Sequence, residues 1–281
     1  MIGENFALHP GPAHGTVTAM LEQITQIARE AGALLREGFG RQQTINKTES
    51  HDIKLQMDVD CQRLIENRLL KLFPDHSIVG EENSQGDPRA EHRWIIDPLD
   101  GTVNYTYGLP HFCVSIALQR RQAKTSLSAP CGGYESVLGV IYDPMRDEIF
   151  TAGEGKGARL NGRPLRVSDR TTLGDAIISV GFAKSAESIE NGLRNYQTLV
   201  RRVRKVRTWG SAALDLAYIA AGRMEAYYET QIQIWDIAAG ILMVQEAGGT
   251  VKLDPLSSDG RIFSALVSNG KVDILGALRS T

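Results

Sequence analysis

The sequence predicts an α/β fold, and three features lead to that prediction. Apolar residues recur every three or four positions over residues 17–35, which is typical of a long amphipathic helix that ends near Gly38. A second helix is expected over residues 59–72, because Pro74 cannot continue it. Short apolar runs with turn residues between them follow, and such runs are typical of strands.

The residues before Ser168 and those after it are expected to form different kinds of sheet. Six apolar runs predict a largely antiparallel sheet at residues 77–79, 94–96, 113–118, 137–142, 148–152 and 158–160. Beyond Ser168 the order becomes strand, helix, strand, helix over residues 176–180, 188–201, 203–207 and 211–221. We therefore divide the chain into a loose arm over residues 1–15, a first half over residues 16–168 and a second half over residues 169–281.

The composition excludes several classes of protein. The chain has 281 residues, of which 42% are hydrophobic, so it can bury a substantial core. Its 31 lysines and arginines against 33 aspartates and glutamates give a formal net charge of -2, which argues against nucleic acid as a main partner. No apolar run approaches the length of a membrane span, and residues 1–15 lack the pattern of a signal peptide.

The cysteines agree with a cytoplasmic protein. Cys61, Cys113 and Cys131 are too few and too scattered for a disulfide framework or a zinc site. We expect them to be reduced thiols, as is usual in the cytoplasm.

The segment WIIDPLDGTVNY, at residues 94–105, contains two carboxylates directly after an apolar run. Pro98 lies between Asp97 and Asp100 and favours a tight turn, which could aim both carboxylates and the Leu99 carbonyl in one direction. Carboxylate and carbonyl oxygens are the ligands that Mg2+ prefers. The segment therefore predicts a site for a divalent metal ion.

Gly101 and Thr102 follow these acids at a point where a helix could begin. Backbone N–H groups at a helix start are a natural seat for phosphate oxygens. Taken alone, an Asp-Pro or Asp-Gly dipeptide is typical of a surface turn. The complete segment favours a site that holds metal and phosphate together.

A second segment, IWDIAAGILMVQEAGG at residues 234–249, places Asp236 at the start of an apolar helix. Taken alone, Asp236 is a typical helix cap. Together, the strings DPLDGT and WDIAAG resemble the pair of motifs of the inositol monophosphatase family, whose members are Mg2+-dependent, lithium-sensitive sugar-phosphate phosphatases.

The resemblance extends upstream of the first motif. Residues 78–83 resemble the family's Gly-Glu-Glu segment, whose first glutamate, here Glu81, bridges metals. Residues 52–58, DIKLQMD, resemble a stretch that ends in a functional aspartate, here Asp58. The match is weaker at this stretch, because Lys54 and its two successors depart from the usual residues and Asp60 is a competing acid.

The resemblance implies a layered fold and a position for the site. Inositol monophosphatases and the fructose-1,6-bisphosphatase type form an alternating αβαβα sandwich, with the metal site at the junction of two halves. The sequence supports this position, because Asp97 and Asp100 belong to the first half and Asp236 belongs to the second.

The resemblance also implies two or three Mg2+ ions and hydrolysis by metal-activated water, without a phosphoenzyme. Thr102 would orient the attacking water, with Asp58 and Glu81 as the other catalytic residues. The implied ligands are Glu81, Asp97 and the Leu99 carbonyl for the first ion, Asp97, Asp100 and Asp236 for the second, and Asp58 with Glu81 for the third.

The substrate expected from the resemblance is an inositol monophosphate or a similar polyol phosphate. Residues 209–213 and 227–229 resemble segments that contact substrate hydroxyls in the inositol enzymes, and Glu229 matches a hydroxyl-binding glutamate. The implied substrate-binding residues are Asp100, Gly101, Thr102, Gly210, Ser211, Ala212, Glu229 and Asp236.

Other functions are compatible with the same motifs. Histidinol phosphate is the main alternative substrate, and fructose bisphosphate, adenosine bisphosphates and NADP are handled by similar metal centres in the superfamily. A non-catalytic regulatory protein on this fold should have lost a metal ligand, and none of the implied ligands is missing here. We expect a small phosphate monoester as partner, no nucleic acid or membrane, and a homodimer.

Two further features have no fixed role in the sequence. Residues 120–136 form a long polar connection where relatives have a short turn, and we predict a surface loop or longer hairpin. It could be a lid, an oligomer contact or a tolerated insertion. His111 is interpreted as a structural hydrogen-bond donor and not as a base, because a metal ion can activate water unaided.

Overall fold

A computed structural model describes residues 17–49, 52–122, 133–182 and 186–279. The predicted arm, Cys131 and most of the connection at residues 120–136 therefore lie outside the described residues. Within the described ranges, the helices are α1 Val17–Gly38, α2 Gln56–Leu72, α3 Thr102–Thr106, α4 Ala186–Val200, α5 Ala212–Ala220, α6 Ile234–Glu246 and α7 Ile274–Arg279. None of them combines the length and the apolar character that a membrane span requires.

The first two helices pack on one face of a large sheet. Helix α1 buries Ile24, Ala28, Ala31 and Leu35, which lie at helical spacing and confirm the predicted amphipathic pattern. Helix α2 begins three residues earlier than predicted. The reason is local, because the backbone N–H of Leu55 donates to Asp58 Oδ2 at 2.8 Å and so stabilises the first turn.

A short hairpin between these helices was not predicted. Strands β1 Ile45–Glu49 and β2 Asp52–Leu55 pair antiparallel in a separate two-stranded sheet. Their sequences, INKTE and DIKL, are mostly polar. The strand prediction depended on apolar runs, so it could not detect a hairpin that lies largely in solvent.

The first half forms an eight-stranded sheet. Its strands are β3 Ser77–Gly80, β4 Ser84–Gln85, β5 His92–Asp100, β6 Cys113–Arg121, β7 Tyr134–Asp143, β8 Glu148–Gly153, β9 Gly157–Leu160 and β10 Arg163–Pro164. The order is β10-β9-β8-β7-β6-β5-β3-β4, and β3 with β5 is the one parallel pair among these described strands. The predicted antiparallel character is confirmed. Strands β6 and β7 remain paired as far as Arg121 and Tyr134, so the described ends of the long connection are a longer hairpin.

The second half forms a five-stranded mixed sheet. Its strands are β11 Ile177–Val180, β12 Lys205–Arg207, β13 Ala226–Gln233, β14 Thr250–Pro255 and β15 Ile262–Ser268. Their order is β12-β11-β13-β15-β14, with parallel pairing at β12-β11-β13 and antiparallel pairing at β13-β15-β14. The predicted strand, helix, strand, helix order after Ser168 is confirmed by β11, α4, β12 and α5.

The buried side chains separate into three cores, which define five layers. On β5, Trp94 and Ile96 face the core that contains α1 and α2, whereas Ile95 faces the core that contains α5 and α6. That central core also includes Phe263 of the second sheet. A third core lies between the second sheet and helices α4 and α7. The order helix, sheet, helix, sheet, helix is the predicted αβαβα sandwich, while the division at residue 168 stays a prediction.

Candidate metal centre and substrate cleft

The end of strand β5 and the start of helix α6 bring three carboxylates together. One oxygen from each of Asp97, Asp100 and Asp236 lies within 4.8 Å of the others. The first two residues come from the first half of the chain and the third from the second half, as the sequence predicted. The cluster therefore lies where the central helix layer meets the edge of the first sheet.

A local irregularity in β5 aims two of these acids in the same direction. The pairing of β5 with β6 shifts register between Asp97 and Asp100. Asp97 Oδ1 accepts the backbone N–H of Leu99 at 3.0 Å, which closes a tight turn around Pro98. The Leu99 carbonyl, predicted as a metal ligand, accepts the Thr102 hydroxyl at 3.0 Å.

Asp100 is held by three donors on one oxygen. Its Oδ2 accepts the Ser211 hydroxyl at 2.7 Å, the backbone N–H of Ala213 at 2.7 Å and the Cys113 thiol at 3.8 Å. Two of these donors lie at the N-terminal end of α5, where backbone N–H groups favour a negative charge. Ser211 is only 1% exposed, so its hydroxyl is committed to Asp100. The second carboxylate oxygen of Asp100 is then the one suited to a metal ion.

Asp236 stabilises the first turn of α6 and also belongs to the carboxylate cluster. It lies in the first turn of α6, and its Oδ2 accepts the backbone N–H of Gln233 at 3.1 Å. The capping interpretation and the metal-ligand interpretation of this residue are therefore compatible, because a carboxylate offers two oxygens.

The electrostatics of the cluster suit a divalent cation. Burial raises the pKa of Asp97 and Asp236 well above the usual range, and the carboxylates around each of them raise it further. Burial also raises the pKa of Asp100 to about 6, although its hydrogen bonds oppose the shift. Crowded carboxylates repel one another when ionised, and a divalent ion relieves that repulsion. An all-oxygen set of this kind fits Mg2+.

Glu81 lies beside the cluster, directly after strand β3. Its backbone N–H donates to the Ile96 carbonyl at 3.1 Å, which fixes it next to β5. After burial, its carboxylate is the largest influence that raises the pKa of Asp97, and Glu81 lines the same cleft. The structure thus brings four of the predicted metal-binding residues, Glu81, Asp97, Asp100 and Asp236, into one region.

Asp58 lies behind this region and not in the cleft wall. It is 1% exposed, and its Oδ1 accepts the Thr102 hydroxyl at 3.1 Å. Burial raises its pKa to about 7. The competing acid, Asp60, is exposed on α2 and accepts a hydrogen bond from Gln56 at 2.9 Å. Of these two acids, Asp58 is the one next to the predicted site.

The cluster opens into a cleft of about 550 Å3 between the two halves. The predicted substrate-binding residues Gly101, Thr102, Gly210, Ser211, Ala212 and Glu229 all line it. Glu229 is held by the Tyr227 hydroxyl, which donates to its Oε2. Gly181 faces the Glu229 carboxylate, and a Cβ at that glycine would overlap it. The loop at Gly210, with φ +74°, is tied down by Asn104, whose Nδ2 donates to the Trp209 carbonyl at 2.8 Å.

Three cleft residues were not singled out as site residues from the sequence. Asp215 is buried, accepts the Ser179 hydroxyl at 2.6 Å, and has one carboxylate oxygen without a hydrogen-bond partner within the described residues. Asn104 and Lys54 also line the cleft. Lys54 and Asn104 carried a signal, because Lys54 departs from the family pattern and Asn104 lies in the segment at residues 94–105, whereas Asp215 acquires its position through packing.

The interpretation of His111 as a hydrogen-bond donor is wrong. Both ring nitrogens are buried, and neither has a partner in the part of the chain that the structure describes. The ring instead stacks on Trp209 with 5.1 Å between centroids. Burial, with a smaller contribution from Arg146, lowers the pKa of His111 to about 4, so the ring is neutral near pH 7. It is a packing residue beside the cleft.

The αβαβα sandwich and the acidic cluster define the class of two-lobed, metal-dependent phosphatases. The sequence model of the inositol monophosphatase family matches residues 17–255, and the chain belongs to that family. It is a phosphomonoesterase of this family, as the sequence predicted.

Individual relatives agree with this assignment. The protein named Nus factor SuhB of Xylella fastidiosa (strain Temecula1) is 40% identical over 233 residues, which cover 81% of this chain and 79% of that protein. The inositol-1-monophosphatase of Mesorhizobium japonicum is 40% identical over 239 residues, covering 83% and 85%. The solved inositol monophosphatase structure from Anabaena matches with a TM-score of 0.77 at 34% identity and covers 94% of this chain and 95% of that one.

Proposed function

We propose that this phosphatase hydrolyses inositol monophosphate, or a closely similar polyol phosphate, with Mg2+ in the cytoplasm. The observation that carries the proposal is a single cleft with an acidic cluster on one wall and Glu229 on another. The cluster suits the metal and the phosphate, and Glu229 suits the hydroxyls of a polyol. The volume of about 550 Å3 is in the range of small-molecule sites.

Asp97, Asp100 and Asp236, with Glu81 beside them, would hold the metal. Bound Mg2+ supplies positive charge for the phosphoryl oxygens and lowers the pKa of the attacking water. The protein fixes the positions of the carboxylate oxygens that would bind the ion. The turn at Pro98 and the start of α5 perform that task for Asp97 and Asp100.

Thr102 would orient the attacking water. Its hydroxyl oxygen lies 3.1 Å from Asp58 Oδ1 and 3.0 Å from the Leu99 carbonyl oxygen, and it lines the cleft. When the hydroxyl proton is donated to either acceptor, the oxygen can accept a hydrogen bond from water. Asp58 therefore acts on the reaction through Thr102. A third metal site at Asp58 and Glu81 stays a prediction.

Glu229 would select the substrate. A buried carboxylate accepts hydrogen bonds from vicinal hydroxyls, and a site built for such bonds rejects analogues that lack them. Histidinol phosphate is the alternative, because its ammonium could pair with the same acid. Fructose bisphosphate, adenosine bisphosphates and NADP remain candidates on the same metal centre.

We also infer a homodimer. Tyr107 and Leu109 are exposed apolar residues in the segment that follows α3, and Tyr107 is 73% exposed. Neighbouring exposed apolar side chains of this kind are typical of contact surfaces. A sedimentation experiment tests the inference, and a monomer at micromolar concentration would contradict it.

A regulatory role is a second candidate, because several relatives carry the name Nus factor SuhB. The two candidates are separated by phosphate release from a panel that contains inositol 1-phosphate, histidinol phosphate, fructose 1,6-bisphosphate and p-nitrophenyl phosphate with Mg2+. We expect the highest kcat/KM for the inositol ester. Li+ in the same assay tests the sensitivity that the family resemblance implies. Absence of release from every ester would favour the regulatory role.

A further inference from the structure

The cleft contains a lysine that no function has been assigned to. Lys54 is the third residue of β2, and its Nζ lies 2.9 Å from Glu82 Oε1. The Lys54 side chain is 34% exposed and that of Glu82 is 13% exposed, so the pair is partly shielded from water. The Glu82 backbone is itself fixed, because its N–H donates to Gln62 Oε1 at 3.0 Å. The ammonium is therefore held at a defined place beside Glu82, the residue that follows Glu81.

The acidic lining of the cleft makes this lysine important for binding an anion. Among the described residues that line the cleft, Lys54 is the only lysine or arginine. The acids in the same lining are Glu81, Asp97, Asp100, Asp215, Glu229 and Asp236. A phosphate monoester enters this cleft as an anion, so the protein itself offers one fixed cation to balance it.

In the β1–β2 hairpin, Lys54 lies opposite another lysine. Lys47 of β1 is the register partner of Lys54 across the antiparallel pair. Like charges directly opposite each other destabilise a hairpin. The strand pairing therefore disfavours a lysine at this position, whereas the ion pair with Glu82 and the place in the cleft favour it.

Lys54 also occupies the side of the cleft where a third cation was expected. Asp58, four residues further along the chain, was predicted to bind that ion with Glu81. Its two carboxylate oxygens instead bond Thr102 and the Leu55 backbone, and it does not line the cleft. Of the two residues, Lys54 is the one that reaches the cleft.

We propose that Lys54 is a substrate-binding residue, whose ammonium contacts the phosphoryl group and supplies the positive charge on the Glu81 side of the cleft. The proposal rests on the phosphatase function and adds to it a phosphate contact made by the protein. A charge-assisted hydrogen bond of this kind binds a phosphate oxygen strongly.

The test compares Lys54→Met with Lys54→Arg, and uses Lys156→Met as the matched control. Lys156 is an exposed lysine in the turn between β8 and β9, outside the cleft lining. Inorganic phosphate binding is measured by calorimetry in the Mn2+-loaded proteins. Mn2+ binding is measured separately by electron paramagnetic resonance, without phosphate.

We expect Lys54→Met to bind phosphate about tenfold more weakly. It should bind Mn2+ at least as tightly as the unaltered protein, because a nearby positive charge has been removed. Lys54→Arg should stay within about threefold for phosphate, and Lys156→Met should not differ.

Unchanged phosphate affinity in Lys54→Met would overturn the proposal. A parallel loss of Mn2+ would also overturn it, because Lys54 would then support the metal site and not the phosphate. If the proposed phosphatase function is wrong, the result is different, because the unaltered protein would then release no phosphate from any ester. If that protein still bound phosphate with Mn2+, and Lys54→Met did not, the Lys54 assignment would stand. If it bound neither ligand, both proposals would be overturned.

Discussion

Ser211 illustrates how a residue next to the metal site can act through another residue. The resemblance assigns it to the substrate, but its hydroxyl is buried and donates to Asp100 Oδ2 at 2.7 Å. It shares that oxygen with the Ala213 backbone N–H and the Cys113 thiol. Partners of this kind hold a ligand in the orientation that a metal requires.

We predict that Ser211→Ala weakens Mn2+ binding about tenfold, the usual cost of removing a partner of a metal ligand. Ser136→Ala is the matched control, because the Ser136 hydroxyl donates to the Ala238 carbonyl and not to a carboxylate. Titration of each variant with Mn2+ provides the comparison. Equal affinity in the two variants would show that Ser211 does not position Asp100.

We propose that Glu229 determines the substrate specificity. Replacing Glu229 with Gln keeps the shape but removes the charge that accepts hydrogen bonds from polyol hydroxyls. We predict a much larger loss of kcat/KM for inositol 1-phosphate than for p-nitrophenyl phosphate, with metal binding almost unchanged. Equal losses for both esters would contradict the assignment. A tenfold preference of the unaltered enzyme for histidinol phosphate, about 1.4 kcal/mol, would change the substrate but not the metal mechanism.

At the scale of elements, the site depends on the close packing of α5 and α6. These helices carry the donors to Asp100 and the carboxylate of Asp236, respectively. A Cβ at Gly240 of α6 would lie 2.5 Å from the Cβ of Leu216 on α5. The helices approach this closely because the residue at position 240 has no side chain.

Gly240→Ala should therefore destabilise the protein by about 1–3 kcal/mol, as is typical of overpacking. It should also weaken Mn2+ binding, because separating the helices displaces Asp236 from Asp100. Gly174→Ala is the control, since a Cβ there has no heavy atom within 4 Å. Urea unfolding with Mn2+ titration measures both effects, and equal stability of the two variants would refute the packing argument.

The elements that the sequence predicted share a strong apolar pattern. Helix α1 and the inner strands of the first sheet have such patterns, because they face the cores. The β1–β2 hairpin has none, so it was missed. The three clustered aspartates could be found from two local motifs, and Asn104 lies within the first of them, whereas Asp215 could not be found, because tertiary packing brings it to the cleft.

At the scale of the whole molecule, the acidic cluster links stability to pH and to metal. Burial raises the pKa of Asp58 to about 7, and that of Asp97 and Asp236 above the usual range. The folded protein then binds more protons than the unfolded chain, so its stability falls as the pH rises through these values. His111, with a pKa lowered to about 4, has the opposite effect, but only below its usual value of 6.5.

We predict that the metal-free protein unfolds at a lower temperature at about pH 8 than at about pH 6.5. Mg2+ should reduce or reverse this difference, because it binds the ionised carboxylates. Asp97→Asn should flatten the dependence in EDTA. Calorimetry at the two pH values tests this prediction, and equal midpoints for the metal-free protein would show that folding does not raise the pKa of these carboxyl groups.

We propose that the aspartate cluster is a metal centre for phosphate ester hydrolysis. The most direct test is the initial rate of phosphate release from inositol 1-phosphate, with Mg2+ or EDTA, for the unaltered protein and for Asp100→Asn. An amide carries no charge to hold the metal, and its NH2 group cannot accept the hydrogen bonds that Ser211 and Ala213 donate to Asp100. We predict Mg2+-dependent release by the unaltered protein and none by a folded Asp100→Asn. Near-normal turnover by Asp100→Asn, with the same Mg2+ dependence, would contradict the claim.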